Sequence, residues 1–197
     1  MLNVFHSEIA PKIPHCITFI MLFVLFSLIP CLASNYFEQQ KIHREQQLIS
    51  DRVLSIMRMY NCENQEIYES IMSTFDPVLV AVVIAIESEF RVDAVSRAGC
   101  RGLMQLSPDK LEDWKDIRKN IQVGAAYLET QLKRFGDLEL AFAAYNAGPE
   151  WVHKYQGIPP FKETIAYVKK AKGFGLDYVK PNQTSEMVKQ KQIKTLL

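Results

Sequence analysis

Residues 76–90 read Asp-Pro-Val-Leu-Val-Ala-Val-Val-Ile-Ala-Ile-Glu-Ser-Glu-Phe. So much Val and Ile suits a strand, but the start of the run argues otherwise. Asp76 offers a side-chain acceptor to free backbone N–H groups, and Pro77 brings a preset φ at a first helical position. These cap signals predict a helix. Its ten consecutive apolar residues, 77–86, are too few to cross a membrane. Apolar on every side, the helix must run through a core, and it ends by delivering Glu87. A carboxylate there is costly to keep charged, so burial raises its pKa and suits it to act as a general acid near neutral pH. The bland alternative is that Glu87 merely emerges at the surface where the helix stops.

Helices are also expected on both sides of this stretch. Residues 34–60 form a polar-rich amphipathic helix with Leu48, Val53, Ile56 and Met57 as a loose apolar stripe, and no heptad is sustained. Residues 65–75 place Ile67, Ile71 and Met72 at helical spacing. Residues 91–107 lose the helical period and contain Gly99 and Gly102, which predicts a compact loop or small hairpin; Ser107-Pro108 then opens a short helix. Further helices are expected at 120–135, at 138–145 (stopped by Asn146-Ala147-Gly148-Pro149), around Trp151, and at 162–172. The fold class is mainly α, with one small irregular loop or hairpin region.

The 197 residues allow one ordinary domain with a short accessory stretch. Hydrophobic residues make up 48% and charged residues 23%, the composition of a chain that buries a core. Lys and Arg total 23 against 22 Asp and Glu, so nothing favours a nucleic-acid partner bound through counterion release. Residues 1–33 differ from the rest. Residues 17–29 are apolar apart from Thr18 and Ser27, the length of a signal-peptide core, with Lys12 ahead and Cys31-Leu32-Ala33 behind Pro30. Cleavage after Ala33 exports the chain to the periplasm or cell envelope; uncleaved, the segment is an anchor, the one route to a membrane. Pro30 argues against a lipoprotein built on Cys31. The expected division is therefore leader or anchor 1–33, accessory helix 34–61, main domain 62–173 and tail 174–197. Cys62 and Cys100 remain in the mature part, either as one disulfide or as two separate thiols. No Cys/His cluster suggests a metal, and no cofactor is expected.

Five short strings occur in order across residues 76–173: Glu87-Ser88-Glu89-Phe90; Ser96 followed by Gly99-Cys100-Arg101-Gly102-Leu103-Met104-Gln105; Asn120 to Leu128 with Gly124 and Tyr127; Ala144-Tyr145-Asn146-Ala147-Gly148-Pro149; and Glu163-Thr164-Ile165-Ala166-Tyr167-Val168. Together they resemble the SLT-type lytic transglycosylase domain, a lysozyme-like α-helical domain related to goose-type lysozyme. The resemblance implies cleavage of the bond between N-acetylmuramic acid and N-acetylglucosamine in peptidoglycan, with closure to a 1,6-anhydro sugar. It makes Glu87 the single acid and base. Ser96 would orient Glu87 or approach the acetamido group. Gln105, Tyr145 and Asn146 would line the sugar groove, and Tyr167 would reach toward Glu87 from the last helix. Sugars need hydrogen-bonding groups and aromatic faces, and Tyr127, Tyr145 and Tyr167 supply both; Tyr127 alone reads equally well as core. Gly102 and Gly148 read as backbone devices, for close chain approach and helix termination.

The sequence departs from the family pattern at Glu89, at Cys100 and at Ser107, and only 14 residues separate Gln105 from Asn120. These departures touch the groove's rim and leave the acid intact. A hydrolase that uses water would need a second carboxylate, and Asp93 is the near candidate. A non-catalytic peptidoglycan-binding or scaffolding module has no need of the acid. Glycan strands are the expected partner. A role in opening the wall for an envelope-spanning secretion or pilus apparatus is compatible with the chain's small size.

Overall fold

The computed structural model describes residues 15–176, with side chains from Ala33 onward. In these residues the chain forms seven helices: α1 (His15–Met59), α2 (Gln65–Met72), α3 (Pro77–Glu87), α4 (Ile117–Phe135), α5 (Leu138–Ala147), α6 (Pro149–Tyr155) and α7 (Lys162–Gly173). Among the described residues, extended pairing is limited to two isolated antiparallel bridges, Val95 with Arg101 and Arg101 with Leu106. The expected mainly α class and the small hairpin-like region are both present.

The core forms around α3. Leu79 through Ala85 are all buried, and each large aliphatic among them contributes roughly 1.5–3 kcal/mol by leaving water. The helix starts as its cap demands, with the Leu79 N–H donating to Asp76 Oδ1 at 3.1 Å. It packs against α2, α4 and α7, while α5 packs against α4, α6 and α7. Glu87 thus ends a helix whose axis is fixed on several sides.

Some elements differ from expectation. The helix expected at 34–60 is the later part of α1, which runs unbroken through Pro30. A proline removes one intrahelical hydrogen bond but need not end a helix. The chain divides into compact units between Leu48 and Ile49. Leu48 is 69% exposed, whereas Val53, Ile56 and Met57 of the same stripe are buried in the core of the later unit. The leader reading of 1–33 rests on side chains that, apart from Ala33, lie outside the described residues. Among the described residues no helix is long and apolar enough to cross a membrane. The tail reading of 174–197 lies outside them from residue 177 on, and Phe174 and Leu176 pack against the core.

α4 begins three residues earlier than its apolar stripe suggests, because Asp116 caps it by accepting from the Lys119 N–H at 2.8 Å. The short helix expected at Ser107-Pro108 is a single turn, closed by the Lys110 N–H to the Ser107 carbonyl at 2.9 Å. One turn without an apolar face to bury does not propagate. Of the two cysteine alternatives, the structure has separate thiols: Cys62 packs on the core beside α1 and α2, while Cys100 lines a groove in the loop after α3.

Candidate active site

An open groove of about 570 Å³ gathers residues from five parts of the chain. Glu87 comes from the end of α3, Ser96 to Ser107 from the irregular loop, Tyr127 from α4, and Tyr145 to Gly148 and Glu163 from the end of α5 and start of α7.

Glu87 is half-buried, and its Oε1 accepts a 2.9 Å hydrogen bond from the hydroxyl of Tyr167 on α7. Burial pushes the Glu87 pKa from an ordinary 4.5 up to about 7; the Tyr167 hydrogen bond opposes the shift and the nearby charge of Glu163 adds to it. Burial, and then the neighbouring Glu87 charge, hold the Tyr167 hydroxyl firmly protonated, so it remains a donor.

Directly after Glu87 the chain turns sharply. Ser88 folds back with both its N–H and its Oγ bonded to the Ile84 carbonyl, and Glu89 and Phe90 adopt successive left-handed conformations at φ 54° and 62°. Two such residues are costly without glycine. Phe90 is held there by burial against Tyr60, with ring centroids 5.8 Å apart. The turn leaves Glu89 exposed and outside the groove-lining set.

The loop side of the groove is organised by hydrogen bonds. Gln105, itself at φ 48°, donates its amide to the carbonyls of Ala94 and Gly102 at 3.1 and 3.0 Å. Ser96 Oγ accepts from the Cys100 N–H at 3.0 Å, so its hydroxyl shapes the loop. No bond from Ser96 to Glu87 is formed. Beneath the loop, fully buried Asn120 accepts from the Met104 N–H at 2.9 Å and donates to the carbonyls of Arg101 and Trp114, each at 3.3 Å. Gly102 sits at φ 79°, and a Cβ there would fall 2.3 Å from the Asn120 side chain; the close approach requires glycine.

Residues 65–168, which contain every residue lining this groove, match the family model described as the Transglycosylase SLT domain. The chain belongs to the SLT transglycosylase domain family. It is 37% identical over 92 residues to a transglycosylase of Enterobacteria phage PRD1, covering 43% of this chain and 35% of that protein. It is 38% identical over 96 residues to the membrane-bound lytic murein transglycosylase F of Desulfosudis oleivorans, covering 43% of this chain and 21% of that protein. The match thus spans about a third or less of the curated relatives' length. Two solved structures are also similar, each at 24% identity. The 70 kDa soluble lytic transglycosylase of Escherichia coli has a TM-score of 0.49, covering 57% of this chain and 23% of that one. An inactive mutant of the lytic transglycosylase Slt of Pseudomonas aeruginosa has a TM-score of 0.47, covering 63% and 22%.

Within this SLT domain, the sequence-derived residues Glu87, Ser96, Gln105, Tyr145 and Asn146 all line one groove, and Tyr167 lies behind Glu87. The Tyr145 hydroxyl donates to the Met104 carbonyl at 2.8 Å, and Asn146 Oδ1 accepts from the Thr164 hydroxyl at 2.8 Å. Tyr127 joins the groove with its ring 5.3 Å from that of Tyr145. Asp93 is exposed and outside the groove-lining set.

Sequence reasoning missed two residues. Glu163 is a second carboxylate in the groove, close enough for its charge to act on Glu87. The signal was present: Glu163 lies four residues before Tyr167, one turn away on the same helical face. In the sequence Asn120 stands out only as the start of a string. An amide beside Ile121, on the buried face of a helix, demands partners, and those partners hold the loop.

Proposed function

We propose that this SLT domain cleaves the β-1,4 bond between N-acetylmuramic acid and N-acetylglucosamine in peptidoglycan, leaving 1,6-anhydro ends, with Glu87 as acid and then base. The observation that carries the reading is a Glu87 carboxyl facing a groove with its pKa near 7, so that it holds a proton at neutral pH and can also release it. In the first step Glu87 gives its proton to the glycosidic oxygen, and the bond from that oxygen to muramyl C1 breaks. The carboxylate then takes the proton of the muramyl C6 hydroxyl, whose oxygen bonds to C1. Water is not consumed and Glu87 ends protonated, ready for another turnover. Asn146 and Gln105 are suited to the acetamido and hydroxyl groups of the strand, and the Tyr145 and Tyr127 rings to its C–H faces. Such a substrate sets the site of action in the periplasm or cell envelope.

Glu163 supports a second reading. A hydrolase needs another carboxylate to act as nucleophile or to activate water, and Glu163 is the available candidate where Asp93 is not. Mass spectrometry of digested murein separates the two, since anhydro products are one water lighter than reducing ends. Anhydro ends that persist in Glu163→Gln support the transglycosylase. Reducing ends from the wild type, lost in Glu163→Gln, would overturn it.

A further inference from the structure

The charged residues lining the groove are Glu87, Glu163, Arg97 and Lys110, and the proposed reaction employs neither cation. Neither forms an ion pair within 4.0 Å among the described residues; the charge of Lys110 acts from farther off on Asp109, which does not line the groove. Neither is among the groups acting on the Glu87 carboxyl, so they do not serve to keep it ionised. Lys110 is nevertheless held in place. Its Nζ lies 4.7 Å from the centroid of the Tyr127 ring, Tyr127 rests against Tyr145, and Tyr145 is tied to the Met104 backbone. Arg97 is exposed in the turn that the Gly99 N–H closes onto the Ser96 carbonyl. Both lie on the same loop, 13 residues apart in sequence, and both face a space meant for a neutral glycan.

A neutral sugar chain offers no charge to a guanidinium and an ammonium. Unpaired cations that line a cleft favour an anion there. In peptidoglycan the anionic groups beside the scissile bond are the carboxylates of the stem peptide carried by the muramyl lactyl group. We infer that Arg97 and Lys110 form a subsite for a stem-peptide carboxylate, so that the domain selects peptide-bearing strands over bare glycan. This rests on the proposed function and adds the feature of the substrate that the loop reads.

The test uses three substrates: uncrosslinked peptide-bearing strands, the same strands with their carboxyls converted to amides, and strands stripped of peptide by an amidase and then amidated at the lactyl carboxylate which that cleavage leaves. Wild type should favour the first. In the Arg97→Gln/Lys110→Gln double variant, the ratio of kcat/KM on native to amidated strands should fall about three- to thirtyfold, chiefly through KM, the range expected for one exposed and one better-held charged hydrogen bond. Arg97→Lys should restore part of the ratio. Equal loss on all three substrates, or an unchanged ratio, overturns the inference. If wild type cuts none of them, the proposed function fails on its own account. Binding of soluble native and amidated muropeptides to Glu87→Gln still gives the charge comparison without catalysis, and equal affinities there would refute the subsite.

Discussion

The two sides of the groove are built on different physics. Glu87 ends a helix whose seven residues Leu79 to Ala85 are sealed from water on every face. The opposing loop, from Ala94 to Ser107, buries little beyond Leu103, Met104 and Leu106, and takes its shape from directional bonds to Asn120 and among its own backbone groups. Burial is large and non-directional, so it sets where the acid sits and raises its pKa together. Hydrogen bonds are modest but geometric, so they set the outline of what the acid meets.

The largest expected effect tests the helical side. Glu87→Gln is nearly isosteric and should keep the fold while lowering cleavage by ~10²–10⁴-fold, the usual cost of losing a positioned general acid. Turbidity loss of purified murein measures it, and activity within threefold of wild type would remove Glu87 from the mechanism. The same variant should gain stability with a definite pH dependence. The folded pKa of about 7 exceeds the ordinary 4.5, so the folded protein holds its proton longer than the unfolded chain. Wild type therefore loses stability as pH rises from about 4.5 through 7, and the glutamine variant does not. Its advantage should be near zero at pH 4 and reach on the order of 1–3 kcal/mol at pH 8. Urea unfolding at both pH values reads this directly; an equal difference at both would mean that the carboxyl is not held protonated.

A paired truncation contrasts the two sides. Leu79→Ala at the start of α3 should cost about 2–5 kcal/mol in stability. It lies eight residues, roughly 12 Å, from Glu87 along the helix, so kcat/KM per folded molecule should stay near wild type. Asn120→Ala should cost about 2–3 kcal/mol by stranding the Met104 N–H and two carbonyls. It should also lower kcat/KM, because the Gly102 to Gln105 turn loses its support. If both variants lose stability alone, the loop does not depend on Asn120 for its working shape.

That contrast also marks how far the sequence could be read. The caps and apolar run of α3 predict its ends as observed, since Asp76, Pro77 and the run act locally. α5 and α7 likewise begin where expected, at Leu138 and Lys162. Motif order brings Glu87, Ser96, Gln105, Tyr145 and Asn146 to a common groove. What the sequence hides is long-range. The bond of Asn120 to Met104 spans 16 residues, and while the spacing of Glu163 from Tyr167 is legible, the reach of its charge from α7 to Glu87 on α3 is not. The Ser107-Pro108 signal misleads for the opposite reason: it is local, and no packing extends it.

A smaller effect separates hydrogen bonding from charge around the acid. Tyr167→Phe removes the hydrogen bond that holds the Glu87 pKa down. The carboxyl then keeps its proton to higher pH. The falling limb of kcat/KM, set by loss of the Glu87 proton near pH 7, should move to more alkaline pH. A limb that moves toward acid pH would mean that Tyr167 stabilises the protonated form instead.

The smallest effect comes from Glu163, whose repulsion contributes less to the Glu87 shift than the Tyr167 bond does. A negative charge nearby makes the carboxylate form of Glu87 less favourable, so Glu163→Gln should let Glu87 lose its proton earlier. The falling limb should move to more acid pH, opposite in sign to Tyr167→Phe and smaller. Ionic strength distinguishes the mechanisms further. Glu163 is exposed on the first turn of α7, and salt screens an exposed charge over about 8–10 Å near physiological strength and over about 3 Å at 1 M. The limbs of Glu163→Gln and wild type should therefore converge as salt rises, while that of Tyr167→Phe stays displaced, because a direct hydrogen bond has no intervening solvent to screen. An acid-ward shift that persists undiminished at high salt would show that Glu163 acts through contact or shape. Outright loss of activity in Glu163→Gln would assign it a place in bond cleavage and favour the hydrolase.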